Sequence, residues 1–253
     1  MDRLKIYDEL RKHIDINYGT INKWAYINKD ITGVLVSENV THAVIDEAKE
    51  NNCNLIIAHH PVIYIPLGET ISADFVPDVY DSEIIQHAEK EKITIYTIHE
   101  ALDAAQGGLN DYFAECIGVE VEDGFPTYAR YGHFKTKGTL KDKAIEIGKI
   151  LNDTHVRTIG DINRELSTVC VSTGAGARDE ELINILKSKG IDVLISGENK
   201  LSVALKMKYY DICLIEVGHY NSEIICKDIF EKWLSPLSIK IIKSEKDTNP
   251  YNI

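Results

Sequence analysis

Three apolar runs in this sequence stop at a histidine: Leu55-Ile-Ile-Ala58 at His59-His60, Ile93-Thr-Ile-Tyr-Thr-Ile98 at His99, and Ile212-Cys-Leu-Ile-Glu-Val-Gly218 at His219. Two of these histidines have a carboxylate four residues on, Asp103 after His99 and Glu223 after His219. On a helix that spacing puts both side chains on one face, a turn apart. Imidazole nitrogen beside carboxylate oxygen suits zinc, iron or manganese, and a carboxylate can bridge two ions. His59 and His60 are neighbours, which in a regular strand would face opposite sides. At a strand end that alternation breaks, so both imidazoles can face one crevice and each can serve a different ion. Pro61 biases His60 toward extended backbone and prevents an immediate helix. A lone histidine at a strand end is more often structural; three of them, each with a second histidine or a carboxylate, point to a functional cluster. Three histidines and two carboxylates cannot saturate two metals, and open positions mark catalytic rather than structural sites. Two metals about 3.5–4 Å apart lower the pKa of a shared water and clamp an attacked centre, so hydrolysis is the expected chemistry.

The elements that position these residues alternate. Helices are expected at 2–13, 40–51, 81–91, 140–151, 179–189, 198–208 and 221–233, and one opens at Gly107-Gly108 and ends at Gly118. Strands are expected at 33–36, 54–58, 93–98, 167–172, 192–195, 212–217 and 238–242. Gly124, Pro126, Gly132 and Gly138 punctuate 120–139, which predicts a crossing between lobes with short antiparallel strands. Strand–helix alternation implies an α/β protein of two interlinked lobes, with mixed, largely parallel sheets covered by helices. Functional groups in such sheets gather beyond the carboxyl ends of strands, where the histidines fall. The expected division is a metal-site lobe of 1–125 plus 217–253 and a second lobe of 126–216.

The bulk properties are those of a globular chain. Apolar residues make up 44% and charged residues 27% of 253 positions, enough for a full core. With 28 Lys and Arg against 40 Asp and Glu, the net charge of −12 disfavours a nucleic-acid partner, whose affinity would come from cationic side chains displacing counterions. Five cysteines without Cys-x-x-Cys spacing read as small buried hydrophobes in a reducing compartment. No apolar run approaches about twenty residues, so no membrane span is expected. The N-terminus lacks the apolar core of a secretion signal, and a cytoplasmic location follows.

At this point the motifs themselves resemble a family. Leu55-Ile-Ile-Ala-His-His-Pro-Val-Ile-Tyr64, His99-Glu-Ala-Leu-Asp-Ala-Ala-Gln-Gly-Gly-Leu-Asn-Asp111 and Gly218-His-Tyr-Asn-Ser-Glu223 are similar, in order and spacing, to the signatures of the dinuclear metal centre proteins related to NGG-interacting factor three. Many members are labelled GTP cyclohydrolase I type 2 homologues. The resemblance implies two divalent ions per subunit (Zn, Fe or Mn) held by His59, His60, Asp103, His219 and Glu223. It makes Glu223 the bridging carboxylate and Asp103 the residue that completes one ion's shell. Catalytic roles would fall to Glu223 and to His99, the latter near the site rather than a primary ligand. It also implies a homohexamer with the metal sites facing an internal cavity. Glu100 and Ala101 replace the family's Thr-Asn, His133 replaces an Arg, and Leu201 and Ser202 stand where histidines often occur. Substrate contacts are therefore expected to differ, and a GTP-specific role does not follow.

Other candidates are weaker. Gly174-Ala-Gly176 between a strand and a helix reads as a tight turn ahead of a phosphate cradle. There is no Walker-type Gly-Lys-Ser/Thr. Glu69, Glu100 and Glu198 could act as a general base, but a solvated surface is the expected place for each. His13, His42, His87 and His155 show no partner pattern. Two functions remain open: a metal-dependent hydrolase acting on a nucleotide or phosphorylated small molecule, and a non-enzymatic metal-binding, metal-trafficking or regulatory protein.

Overall fold

The computed structural model describes residues 1–15, 18, 21–64, 76–124, 128–153 and 155–251. From the N-terminus these form α1 (Arg3–Arg11), β1 (Ile21–Ala25), β2 (Gly33–Ser37), α2 (His42–Glu50), β3 (Leu55–Ala58), α3 (Val79–Lys90), β4 (Thr94–Ile98) and α4 (Glu100–Ala104). Next come α5 (Leu109–Cys116), β5 (Val119–Gly124), β6 (Arg130–Phe134), α6 (Leu140–Ile150), β7 (Arg157–Ile159), β8 (Thr168–Ser172), α7 (Glu180–Lys189), β9 (Val193–Ser196), α8 (Leu201–Tyr209), β10 (Cys213–Glu216) and α9 (His219–Glu223). The chain closes with α10 (Cys226–Leu234) and β11 (Lys240–Lys243).

Two compact units result, Met1–Gln106 with Cys226–Ile253, and Gly107–Ile225. The first holds a five-stranded sheet in the order β1-β4-β3-β2-β11. Its pairings are parallel except at the β1 edge. β2, β3 and β4 are buried along their whole length, as expected of parallel strands covered on both faces. Leu35, Ile56 and Ile95 on one face pack against Val44 and Ala48 of α2 and Ile84 and Ala88 of α3. The side chains of Asp2, Thr41 and Asp78 cap α1, α2 and α3 by accepting first-turn backbone N–H groups.

The second unit holds a six-stranded sheet in the order β5-β6-β8-β9-β10-β7. Here β8, β9 and β10 run parallel, while β5, β6 and β7 join antiparallel. Gly118, at φ +75, ends α5 as a left-handed cap and turns the chain into β5. The α/β class and the parallel-rich sheets match expectation; the antiparallel strands expected in 120–139 are β5 and β6, but both lie inside the second unit, so this stretch is not the expected crossing between lobes. Pro126 and Glu69 lie outside the described residues.

Three other expectations differ. The unit boundaries fall at 106/107 and 225/226 rather than at 125/126 and 216/217. The reason is packing: Phe113 and Ala114 of α5 and Val119 of β5 join one core with Val169, Val193 and Ile215 of the second sheet. The single helix at 221–233 is two helices, α9 and α10, with a turn at Ile224-Ile225 where the chain passes from the second unit to the first. Strands β1 and β7 and the short helix α4 were not anticipated, because polar edge strands and a five-residue helix carry little periodic signal.

Candidate metal centre

In the first unit β2, β3 and β4 are adjacent and parallel, with Val36 opposite Ile57 and Ile57 opposite Tyr96. Their carboxyl ends therefore lie side by side, and the residues just past them meet. Backbone pairing continues past β3: the His59 N–H donates to the Ser37 carbonyl at 3.3 Å and the His60 N–H to the Glu38 carbonyl at 2.8 Å. Three imidazoles cluster there. The ring centroids of His59 and His60 are 4.8 Å apart, those of His59 and His99 4.9 Å, and those of His60 and His99 5.5 Å.

Hydrogen bonds fix two of these rings. His59, with no solvent exposure, donates from Nδ1 to the Ile98 carbonyl at 3.1 Å. A carbonyl only accepts, so the proton sits on Nδ1 and the lone pair on Nε2. That Nε2 is 3.6 Å from Oδ1 of Asp103, which α4 carries. Nδ1 of His60 pairs with the side-chain oxygen of Asn39 at 2.8 Å, which again leaves the lone pair on Nε2. Nδ1 of His99 lies 3.2 Å from Oε1 of Glu100, and the Tyr64 hydroxyl donates to the same oxygen at 3.2 Å.

In the second unit Gly218, at φ +86, turns the chain from β10 into α9. This short helix presents His219 and Glu223 on one face, with Nε2 of His219 3.0 Å from Oε2 of Glu223. Nδ1 of His219 is 3.4 Å from Oε1 of Glu198. Burial disfavours the imidazolium, but the hydrogen bonds and charges of Glu223 and Glu198 outweigh it and push the His219 pKa up to about 9. Ser222 anchors the helix by accepting from the Gly174 N–H at 2.9 Å and donating to the His219 carbonyl at 2.8 Å. Gly174 is needed at φ +53: a Cβ there would stand 2.0 Å from Oε1 of Glu223. The Gly174-Ala-Gly176 segment is thus a tight turn that makes room for a carboxylate.

The structure therefore brings His59, His60, His99 and Asp103 together in one unit and His219 with Glu223 in the other. His59, His60 and His99 each offer a nitrogen within 4.8 Å of the others, and this set of imidazoles and carboxylates fits a divalent metal. Several neighbours were not visible in the sequence. Glu100 and Glu198, expected on solvated surface, are half-buried and each touches a site histidine. Asn39 and Tyr64 carried no spacing signal. His42 and His87, expected without partners, meet through their Nδ1 atoms at 2.8 Å, and His87 lies 3.2 Å from Asp46. Of the other departures, His133 pairs with Glu122 at 2.7 Å, Ala101 is buried, and Leu201 is exposed at the start of α8.

The family model for Duf34/NIF3 (NGG1p interacting factor 3) matches residues 23–250. This chain belongs to the Duf34/NIF3 family. A relative from Lactococcus lactis, described as "GTP cyclohydrolase 1 type 2 homolog", is 27% identical over 231 residues, covering 88% of this Duf34/NIF3 chain and 86% of its own. A Staphylococcus aureus hypothetical protein of known structure shares the fold at a TM-score of 0.85 and 20% identity, over 100% of this chain and 99% of its own. A Bacillus cereus protein related to NIF3 does so at 0.84 and 20%, over 99% and 98%. Among the described residues, no helix of this Duf34/NIF3 protein is long and apolar enough to cross a membrane.

Proposed function

We propose that this chain is a dinuclear metal-binding protein and a metal-dependent hydrolase acting on a nucleotide or another phosphorylated small molecule. His59, His60, Asp103, His219 and Glu223 would hold two divalent ions. The observation that carries this reading is the clustering of His59, His60 and His99 with Asp103 at the carboxyl ends of β3 and β4, with His59 and His60 oriented by Nδ1 bonds to the Ile98 carbonyl and to Asn39. When bound, the ions supply Lewis acidity and charge stabilisation at the scissile group. The remaining work falls to side chains. Burial of His59 and Glu223 excludes water from their donor atoms. His99, beside the Glu100 carboxylate, moves a proton between substrate and solvent. The naming of relatives as GTP cyclohydrolase 1 type 2 homologs supports a nucleotide as substrate class. A homohexamer belongs to the same reading, and native mass spectrometry checks it.

The test is turnover on a panel of nucleotides and phosphoesters with added zinc, manganese or iron, beside a Glu223→Ala control. Metal-dependent turnover that the control lacks supports the hydrolase. Tight, exchangeable metal with no turnover across the panel contradicts it and favours a metal-binding or metal-trafficking protein.

A further inference from the structure

The C-terminal segment of the first unit reaches back to the carboxyl end of β2. The Ser244 N–H donates to the Val36 carbonyl at 2.9 Å, one residue past β11. Beyond it, the buried Glu47 carboxylate receives the N–H groups of Glu245 at 2.8 Å and Lys246 at 3.3 Å, and pairs with the Ser244 hydroxyl. These bonds place Asp247, which is only 4% exposed, against the loop that follows β2. One of its oxygens accepts the backbone N–H of Glu38 at 2.5 Å and that of Asn39 at 3.3 Å; the other accepts from the Asn39 side-chain nitrogen at 3.4 Å.

The directions of these bonds form a chain of constraint. An ionised carboxylate accepts hydrogen bonds and donates none. Facing Asp247, the Asn39 amide must therefore present its NH2. Its oxygen then points the other way, to Nδ1 of His60 at 2.8 Å. An amide oxygen only accepts, so the His60 proton must sit on Nδ1 and the lone pair on Nε2. We propose that Asn39 and Asp247 are positioning residues that set the tautomer of His60 from the C-terminal segment of the chain. Neither touches a reacting group; they act through the ring they hold. The tautomer follows from the hydrogen bonds alone, whereas its consequence for metal affinity rests on the function proposed above.

The experiment uses the full chain, metal-free, with 15N-labelled histidine, and reads each tautomer by long-range 1H–15N correlation. Zinc affinity is then measured by chelator competition. The wild type is expected to hold His60 in the Nδ1–H form. Asn39→Leu is expected to let His60 revert toward Nε2–H and to weaken zinc binding by about 10–100-fold, the usual loss when a ligand's supporting hydrogen bond is removed. Asn39→Asp keeps an acceptor and is expected to keep the Nδ1–H form. Asp247→Asn frees the Asn39 amide to turn and is expected to give a mixture. Melting temperature monitors folding, and because the one oxygen left by Asp247→Asn can face either the two backbone N–H groups or the Asn39 amide, the Asn39→Leu and Asn39→Asp pair carries the decision. An Nδ1–H signal that survives Asn39→Leu, or a wild-type His60 in the Nε2–H form, overturns the proposal. A wild type with the expected tautomer that takes up no zinc contradicts the metal reading and leaves the tautomer relay standing.

Discussion

In the first unit His59 and His60 commit Nδ1 to neutral acceptors, the Ile98 carbonyl and the Asn39 amide oxygen. In the second, His219 lies between two carboxylates, Glu198 and Glu223. The first arrangement fixes the orientation of both rings through Nδ1. The second stores negative charge and keeps a proton on the ring until something more electrophilic displaces it. The first unit thus offers oriented nitrogen atoms, and the second a concentration of carboxylate charge.

The largest effect that would sharpen this contrast is at Glu223. Glu223→Ala is expected to weaken metal binding by about 100-fold or more, beyond the loss typical of an outer partner, and chelator competition reads it. Glu198→Ala removes only a flanking charge and is expected to cost less; equal losses would break the distinction between ligand and flank.

Next is the close approach behind Glu223. Gly174→Ala combines φ +53 with a Cβ 2.0 Å from the Glu223 carboxylate, whereas Gly190→Ala at φ +66 meets nothing within 4 Å. Urea unfolding should show a loss of about 1–3 kcal/mol at Gly174 and about 1 kcal/mol at Gly190. Similar losses would mean that the Glu223 pocket has room to spare.

A pH titration comes third. In the metal-free protein the His219 imidazole should titrate near 9 by NMR, raised from 6.5 because Glu223 and Glu198 prevail over burial. A raised histidine pKa contributes stability that is fully present below pH 6.5 and is lost as pH rises through about 9. A midpoint below 6.5 would remove the electrostatic difference between the units. The smallest effect is at Tyr64. Tyr64→Phe removes one exposed hydrogen bond to Glu100 and is expected to cost under about 1 kcal/mol by urea unfolding.

The parallel strands were legible because β2, β3, β4, β8, β9 and β10 are buried apolar runs that end sharply. The histidines past β3, β4 and β10 marked the site for the same reason, and the four-residue spacing of His219 and Glu223 survives as one face of α9. What the sequence hid was long-range. Asn39 and His60 are 21 residues apart and Asn39 and Asp247 are 208 apart, joined only by tertiary pairing of β2 with β3 and β11. Edge strands β1 and β7 escaped because their polar residues give no alternation, and the boundary near 106 escaped because α5 and β5 look alike in either unit until Phe113 is seen in the second core.

The proposal on which the rest depends is that His59, His60, Asp103, His219 and Glu223 bind divalent metal. Elemental analysis of the purified protein, after loading with zinc, iron or manganese and exhaustive dialysis, tests it most directly. The expected result is two ions per chain, falling on Glu223→Ala and on His59→Ala alike. A chain that retains no metal, or whose metal content ignores both substitutions, would contradict it.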